Sequence, residues 1–534
     1  MKLTLLCAVA ALLLAWNTQA QSVNFSEHIA PIIYQKCTSC HRQGEVAPMP
    51  LTNYDEVKSW RQMVKYVTSI RYMPPWKPDP KYQTYLGENY LTDAEIDLIA
   101  RWVDNGAPQG DPMKEPSLPY FPDGSQLGTP DLVLSFAQAY EHKGINKDEY
   151  RIFVLPTGLT EDKEIAAVEV RPGNRNIVHH ALFSYDTSGK ARANDDADTE
   201  YGYQSFGGFG VTENPLETIQ FPGYVPGQKP RFFPEGLGQV LPAGADFLVQ
   251  MHYAPIPTNQ KDSSVVNIFF KKEPIAREVQ TVILVPLPNI ITDGPFFIPP
   301  RQVRSFHGQI TTPRKLSLVS ISPHMHLLGK KWEVFAVTPN RQDTIPLIRI
   351  NDWDFNWQGT YTFERFVVLE AGSVIHATAT YDNTTDNPFN PNNPPKWVSW
   401  GEKTTDEMYY LPISFVEYKE GDEDIVFTET EATAVTTTEE GGNKLHAVFP
   451  NPTYDKIQLQ FELASGSNTN LQILDLQGRV VLQSSAHVFH PVGKHQTEIA
   501  VKHLPEGMYF IRLIGDSFQL VQSFVLVNDW LLNY

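Results

Sequence analysis

Apolar positions along the chain change rhythm several times. An unbroken apolar run from Leu3 to Trp16 comes first, and helical spacing then holds to about residue 106. In "TDAEIDLIARWVDNG", Ile96, Ile99, Trp102 and Val103 fall on one face, Thr92 and Glu95 form a capping box, and Gly106 stops the helix. Ser26 caps an earlier helical segment carrying Ile29, Ile32 and Ile33. A Pro/Gly-rich linker follows, "APQGDPMKEPSLPYFPDGSQLGTP". From Asp131 to about Glu420, short apolar runs such as "DLVLSF", "YRIFVL", "FLVQMHY" and "VVNIFF" are split by Pro, Gly and Asn. That is the pattern of antiparallel strands, and nearly 300 residues of it should divide into two halves, with the break placed near Lys271 to Glu278. "EGDEDIVFTETEATAVTTTEEGG" is acidic and Thr-rich, a linker by composition. Strand-like runs return from about Lys444, and no internal repeat stands out.

These shifts predict a multidomain chain. Residues 1–20 read as a signal peptide and 21–110 as a small all-α domain, followed by a linker over 111–130. Residues 131–274 and 275–420 read as two consecutive antiparallel β-sandwiches of jelly-roll type. A linker over 421–443 then leads to an Ig-like β-sandwich over 444–534.

Lys2, the apolar run and Thr18-Gln19-Ala20 make up the three parts of an export signal. No other stretch reaches the roughly 18 apolar residues of a spanning helix, so no transmembrane segment is expected. The net charge of −18 argues against nucleic acid as a partner. Of three cysteines, Cys7 lies in the signal, so only Cys37 and Cys40 remain, and no structural disulfides are expected if that pair is engaged elsewhere.

The pair sits in "CTSCH", the C-x-x-C-H pattern of covalent haem c attachment. Cys37 and Cys40 would form the thioethers, and His41 would reach the iron. A redox dithiol or half of a zinc site is the competing reading. With "RYMPPW" and the closing "LTDAEIDLIARWVDNGAP", the region resembles small monohaem cytochromes c. The resemblance implies a methionine as second axial ligand. Met73 fits best, since Pro74 and Pro75 stiffen the loop after it; Met49 competes, and Met63 suits a helix face. Such ligation suits electron transfer.

Several histidines recur in the β region: His179 and His180 in "NIVHHALFSYD", His252 in "FLVQMHYAP", and His324 and His326 in "ISPHMHLLG". Residues i and i+2 of a strand share a face, so the last two can act together. Met408 lies in "TTDEMYYLPISF". Taken in order, HH, Q-x-H-Y, H-x-H and D-E-M resemble the copper type II monooxygenases, the family of peptidylglycine α-hydroxylating and dopamine β-monooxygenases. The resemblance covers about Asp131 to Glu420 and includes Gln250. It implies an electron-transfer copper on His179, His180 and His252, and an O2-binding catalytic copper on His324, His326 and Met408. It also implies that the two coppers face each other across a cleft. Imidazole and thioether donors suit copper, while zinc stays open for the three-histidine set. The arginine with which the peptide-specific enzyme holds its substrate is Ser322 here, and its tyrosine is Pro412, so peptidylglycine is an unsuitable substrate.

The expected function is therefore a secreted monooxygenase that hydroxylates a C–H bond of a small molecule with O2, using two copper ions and one haem. Electrons would come from an external donor through the haem. The alternatives are a copper and haem protein that only transfers electrons or holds copper, and a binding protein that has lost metal.

"FPNP" at Phe449 to Pro452, "LDLQGRVV" and "LPEGMYFIRL" resemble the type A sorting domain of type IX secretion in Gram-negative bacteria. The resemblance implies the outer-membrane secretion machinery as partner. It also implies a secreted or cell-surface product that passes through the periplasm. An Ig-like carbohydrate-binding module is the alternative.

Overall fold

The strand Asp246–Tyr253, "DFLVQMHY", is buried at every position. It lies inside a four-stranded antiparallel sheet, between Glu149–Pro156 and Val178–Asp186, with Phe221–Tyr224 at the edge. A strand covered on both faces has no need of polar alternation. The structure is a computed structural model. It describes residues 23–119, 121, 124–205, 208–212 and 221–427, and 438–526 with breaks at 441, 450–452, 454, 476–478, 484–487, 506 and 517. The signal peptide over 1–20 and parts of the "FPNP" and "LDLQGRVV" motifs lie outside the described residues.

A five-stranded sheet shares a core with the first. Its order is Leu132–Ser135, Val265–Phe270, Lys163–Arg171, Leu237–Leu241 and Arg277–Glu278, and the last pair is parallel. Phe153 and Val249 from one sheet meet Leu134, Ile165, Val266 and Ile268 from the other. The next part of the chain repeats the plan. One sheet is ordered Gln280–Leu284, Leu411–Glu417, Leu316–Ile321, Tyr361–Leu369. Its companion is ordered Val303–Thr311, Val374–Asp382, Gly329–Val337, Thr344–Ile350. Leu318, Leu411 and Ile413 pack there against Trp332, Val334 and Tyr381. The changeover falls between Glu278, still paired with Gly238, and Gln280, which is later than the 274/275 boundary read from the sequence. Leu237, Val279, Val319, Phe366 and Val416 bury one another along the seam.

The expected all-α cytochrome domain over 21–110 is not there as a domain. Helices Ala30–Lys36, Tyr54–Ser69 and Asp93–Asp104 do enclose a small cluster around Phe25, Ile33 and Trp102. The segment between the last two, however, runs extended and bridges to the β region at Pro78↔Ile350 and Tyr85↔Phe363. Tyr85 is 4% exposed, lies in the core of the second β half, and donates its hydroxyl to Leu347 O at 2.6 Å. The physical reason is in "MPPWKPDPKYQTY": four prolines refuse a helix, and the aromatic side chains find their apolar surroundings on the neighbouring sheets. The chain is mostly sheet, in many small pieces. Among the described residues there are four α-helices, the fourth being Lys190–Ala197 in the β region.

Contact between these parts makes one unit up to residue 430, and residues from 431 make a second. The division lies inside the stretch read as a linker. In the second unit, one sheet contains Asn443–Phe449, Lys456–Leu463 and Gly493–Ala500, and the other contains Ser467–Leu474, Gly507–Ile514 and Gln519–Leu526. Leu459, Phe461, Ile473, Ile511 and Phe524 fill the core. No helix among the described residues is long and apolar enough to cross a membrane.

Candidate functional site

Adjacent strand residues normally face opposite ways, yet His179 and His180 act on one side. The cause is an irregularity: Val178 pairs with Tyr253 and His180 with His252, and the register slips between them. The extra residue turns the strand locally, as bulges do. Nδ1 of His180 then lies 3.2 Å from Nδ1 of His179 and 3.2 Å from Nδ1 of His252. One ligand atom from each ring lies within 4.8 Å of the others, a spacing that can hold a metal ion. His252 donates Nε2–H to Asp148 Oδ1 at 2.8 Å, which fixes its tautomer and frees Nδ1. The Tyr150 ring stacks on His252 at 4.2 Å and 10°.

Met325 is buried in the core of the second β half, so the alternation sends His324 and His326 to the opposite side. His324 N donates to Tyr410 O at 2.8 Å, and Tyr410 N donates back to His324 O at 3.3 Å. Met408 lies two residues before Tyr410, half-buried, and its carbonyl accepts from the Tyr381 hydroxyl at 2.8 Å. One carboxylate then ties the corner together. Glu407 accepts from the N–H groups of His326 at 2.9 Å, Leu328 at 2.6 Å and Met408 at 3.2 Å. Burial pushes its carboxyl up to about 8, against the pull of those bonds. His326 donates Nδ1–H to Asp406 O at 3.2 Å.

The two groups adjoin. His180 and His324 have ring centroids 6.2 Å apart, so the separation across a cleft implied by the family resemblance is not seen here. His252 and His326 are buried, while His179, His180 and His324 keep a partly open edge. Burial lowers the pKa of all five rings, to about 4 for His179 and His326. At neutral pH they are uncharged imidazoles, the form that binds metal.

Cys37 caps the helix Ala30–Lys36, and the turn continues with Cys40 and His41 N–H groups donating to Cys37 O. Both thiols are free and half-buried, and burial pushes Cys37 up to about 12. His41 donates Nδ1–H to Met49 O at 3.0 Å, so Met49 contributes its carbonyl and the ring keeps Nε2. Met63 is exposed on its helix. Met73 is half-buried beyond the end of the helix Tyr54–Ser69, its N–H donating to Val67 O.

What sequence reasoning missed is the loop Trp353–Gln358, where "DWDFNWQ" offered no choice between core and cleft. Phe355 stacks on His179 at 4.9 Å and meets the edge of His326 at 5.9 Å. Gln358 hydrogen-bonds the His324 ring. Asp354 pairs with Lys77 at 3.5 Å, with both side chains largely buried. Trp357 and Cys40 both press on Gly227: a Cβ there would lie 3.1 Å from the indole and 3.2 Å from the sulfur. Only glycine suits that spot, at φ +80°. Glu45 adds an ion pair with Arg175, just before the His179 strand. Asp148 and Glu407 were missed as well; a D-E-M string was the only signal for the second. Ser322 and Pro412, the family's substrate positions, are tied into the frame: Ser322 N donates to Pro412 O, and Ser322 Oγ to Thr360 Oγ1.

Comparison with known proteins adds one assignment. Residues 447–527 match the family "Secretion system C-terminal sorting domain". The chain is thus exported by the type IX route to the cell surface or beyond, and the secretion machinery is a partner. No curated protein matches the sequence. Among solved structures, the β-D-glucuronidase of Dictyoglomus thermophilum is similar at 11% identity and TM-score 0.14, over 48% of this chain and 45% of that one. The VP2 subviral particle of infectious bursal disease virus is similar at 9% identity and TM-score 0.16, over 57% of this chain and 75% of that one. The chain spans less than half the length of that glucuronidase, and likenesses this slight carry no argument about fold or activity.

Proposed function

We propose that this exported chain is a copper-dependent monooxygenase that hydroxylates a C–H bond of a small substrate with O2 and draws its electrons from a covalent haem. The observation that carries the reading is the gathering of His179, His180 and His252 within ligand distance, beside His324 and His326. The donors fit copper: neutral nitrogens throughout and a carboxylate on the far side of His252, with Met408 two residues before the Tyr410 that bridges His324. His179, His180 and His252 would hold one ion, and His324, His326 and Met408 the other. Cys37, Cys40 and His41 fit a haem, since both thiols are unpaired and His41 keeps a free Nε2. Bound copper would supply one-electron chemistry and O2 activation, and bound haem would supply electron storage.

The protein's own groups have definable tasks. Asp148 fixes the His252 tautomer, and the Asp406 carbonyl does the same for His326. Glu407 holds the His326 and Met408 backbones in one frame. Phe355 covers one face of His179 and meets the edge of His326. A sorting domain of type A completes the reading at the C-terminus.

Metal and haem analysis of the purified protein, joined to O2 uptake with a reductant and a search for hydroxylated product, tests this. Two coppers and one haem per chain are expected, and His324→Ala should abolish product. A protein with all histidines intact that binds no copper would end the proposal. A second reading, an electron-transfer protein without hydroxylation, is favoured by the close approach of His180 and His324 and by the lack of an arginine at Ser322. O2 uptake without product would select it.

A further inference from the structure

The loop Trp353–Gln358 touches three things at once. Phe355 lies on His179 and at the edge of His326, so one ring contacts a member of each histidine group. Gln358 is hydrogen-bonded to His324. Trp357 shares the bare backbone of Gly227 with the sulfur of Cys40. The loop is also fixed in place, by the Lys77–Asp354 pair and by the Trp357 N–H bond to Asp354 O at 2.9 Å. A turn that served only to fill space would not need a buried ion pair to hold it against a distant part of the chain, since burying two charges is costly.

We infer that this loop is the electron conduit between the Cys37–His41 segment and the histidine groups, with Trp357 taking the cysteine side and Phe355 the histidine side. The inference rests on the functional reading above and names the residues of a route that reading leaves open. In the step concerned, one electron would pass from a reduced haem held by Cys37, Cys40 and His41, leaving it ferric, to a copper(II) held by the histidines, leaving it copper(I). No proton or bond is exchanged. The haem is re-reduced by an external one-electron donor. Both rings act here as positioning residues, since neither holds the metal.

The test uses the full chain, loaded with haem and copper(II), under anaerobic conditions. A photochemically generated one-electron reductant reduces the haem, and re-oxidation of the haem band is followed as the electron moves on. Trp357→Leu is expected to slow re-oxidation by about tenfold or more, equivalent to about 1.4 kcal/mol of barrier, while Trp357→Phe keeps most of the rate. Copper content and the haem and copper(II) spectra should stay at wild-type values in both. Phe355→Leu and Phe355→Tyr repeat the comparison on the histidine side, with the copper(II) spectrum reporting any disturbance of His179. A fully loaded Trp357→Leu protein that transfers its electron at the wild-type rate overturns the conduit while leaving the oxygenase reading intact. A wild-type protein that takes up no haem or no copper removes both.

Discussion

Asp148 shows how much a single side chain decides. One oxygen of its carboxylate accepts from Nε2–H of His252, and the other accepts from Thr404 Oγ1, in the second β half. Asp148→Ala is expected to weaken copper binding at the three-histidine set by about 10–100-fold, the usual effect of losing such a partner. Titration against a competing chelator would read this, with the circular dichroism spectrum unchanged. The buried ionisable groups also set a pH profile for the metal-free protein. His179 and His326 titrate at about 4 in the fold, against 6.5 for an ordinary histidine. Between these values the unfolded chain takes up protons that the folded chain refuses, so stability falls on acidification from about 6.5 towards about 4. Glu407 acts in the other direction. Its folded pKa of about 8 lies above 4.5, so its contribution is complete below about 4.5 and is lost as pH rises through about 8. Thermal melts of the metal-free protein should show highest stability near pH 6.5; a profile flat from pH 4 to 9 would contradict both placements. The histidines were legible because their spacing carries chemistry. Asp148 was not, since an aspartate before a strand looks like any loop residue.

At the scale of elements, the extended segment between the helices Tyr54–Ser69 and Asp93–Asp104 behaves as part of the second β half. Tyr85→Ala should cost about 3–5 kcal/mol, as for other large aromatic deletions. Tyr85→Phe should cost about 1 kcal/mol by stranding the Leu347 carbonyl. Denaturant unfolding of the intact chain measures both, and a loss under about 1 kcal/mol for Tyr85→Ala would deny the segment its structural role. The helix Asp93–Asp104 was readable from periodicity and caps, and its Thr92–Glu95 capping box is present as expected, whereas the first helical segment is capped by Asn24 and not by Ser26. The segment itself was misassigned because its prolines and aromatics carry no period. Their destination is a sheet some 260 positions later, as the separation of Tyr85 and Leu347 shows. The same holds for Trp353–Gln358, whose aromatics fit core and cleft alike until both neighbours are in place. The bulge at His179 is a third case, since two adjacent histidines give no sign of the slip that brings them to one side.

For the whole molecule, the two units have separate tasks. The second carries the match to the sorting domain, and the first holds every candidate ligand. Deleting residues 431–534 is expected to stop export while the retained chain still binds copper, measured by cell fractionation and metal analysis. Surface delivery of the truncated protein would contradict that division. Sequence reading gave the export route correctly, through the sorting motifs matched over residues 447–527. It could not convey that the helical segment and both β halves close on one another as a single unit.

Gly227 with its two neighbours has a consequence for biogenesis. Cys40 is made early during synthesis, and Trp357 emerges more than three hundred residues later, to end up against the same glycine. If haem is joined to that sulfur, as proposed, the attaching enzyme has to reach it before the indole packs at the same glycine. On the proposed haem reading, maturation has a direction: the porphyrin would be installed on a partly folded precursor, before the late-arriving tryptophan shuts the door.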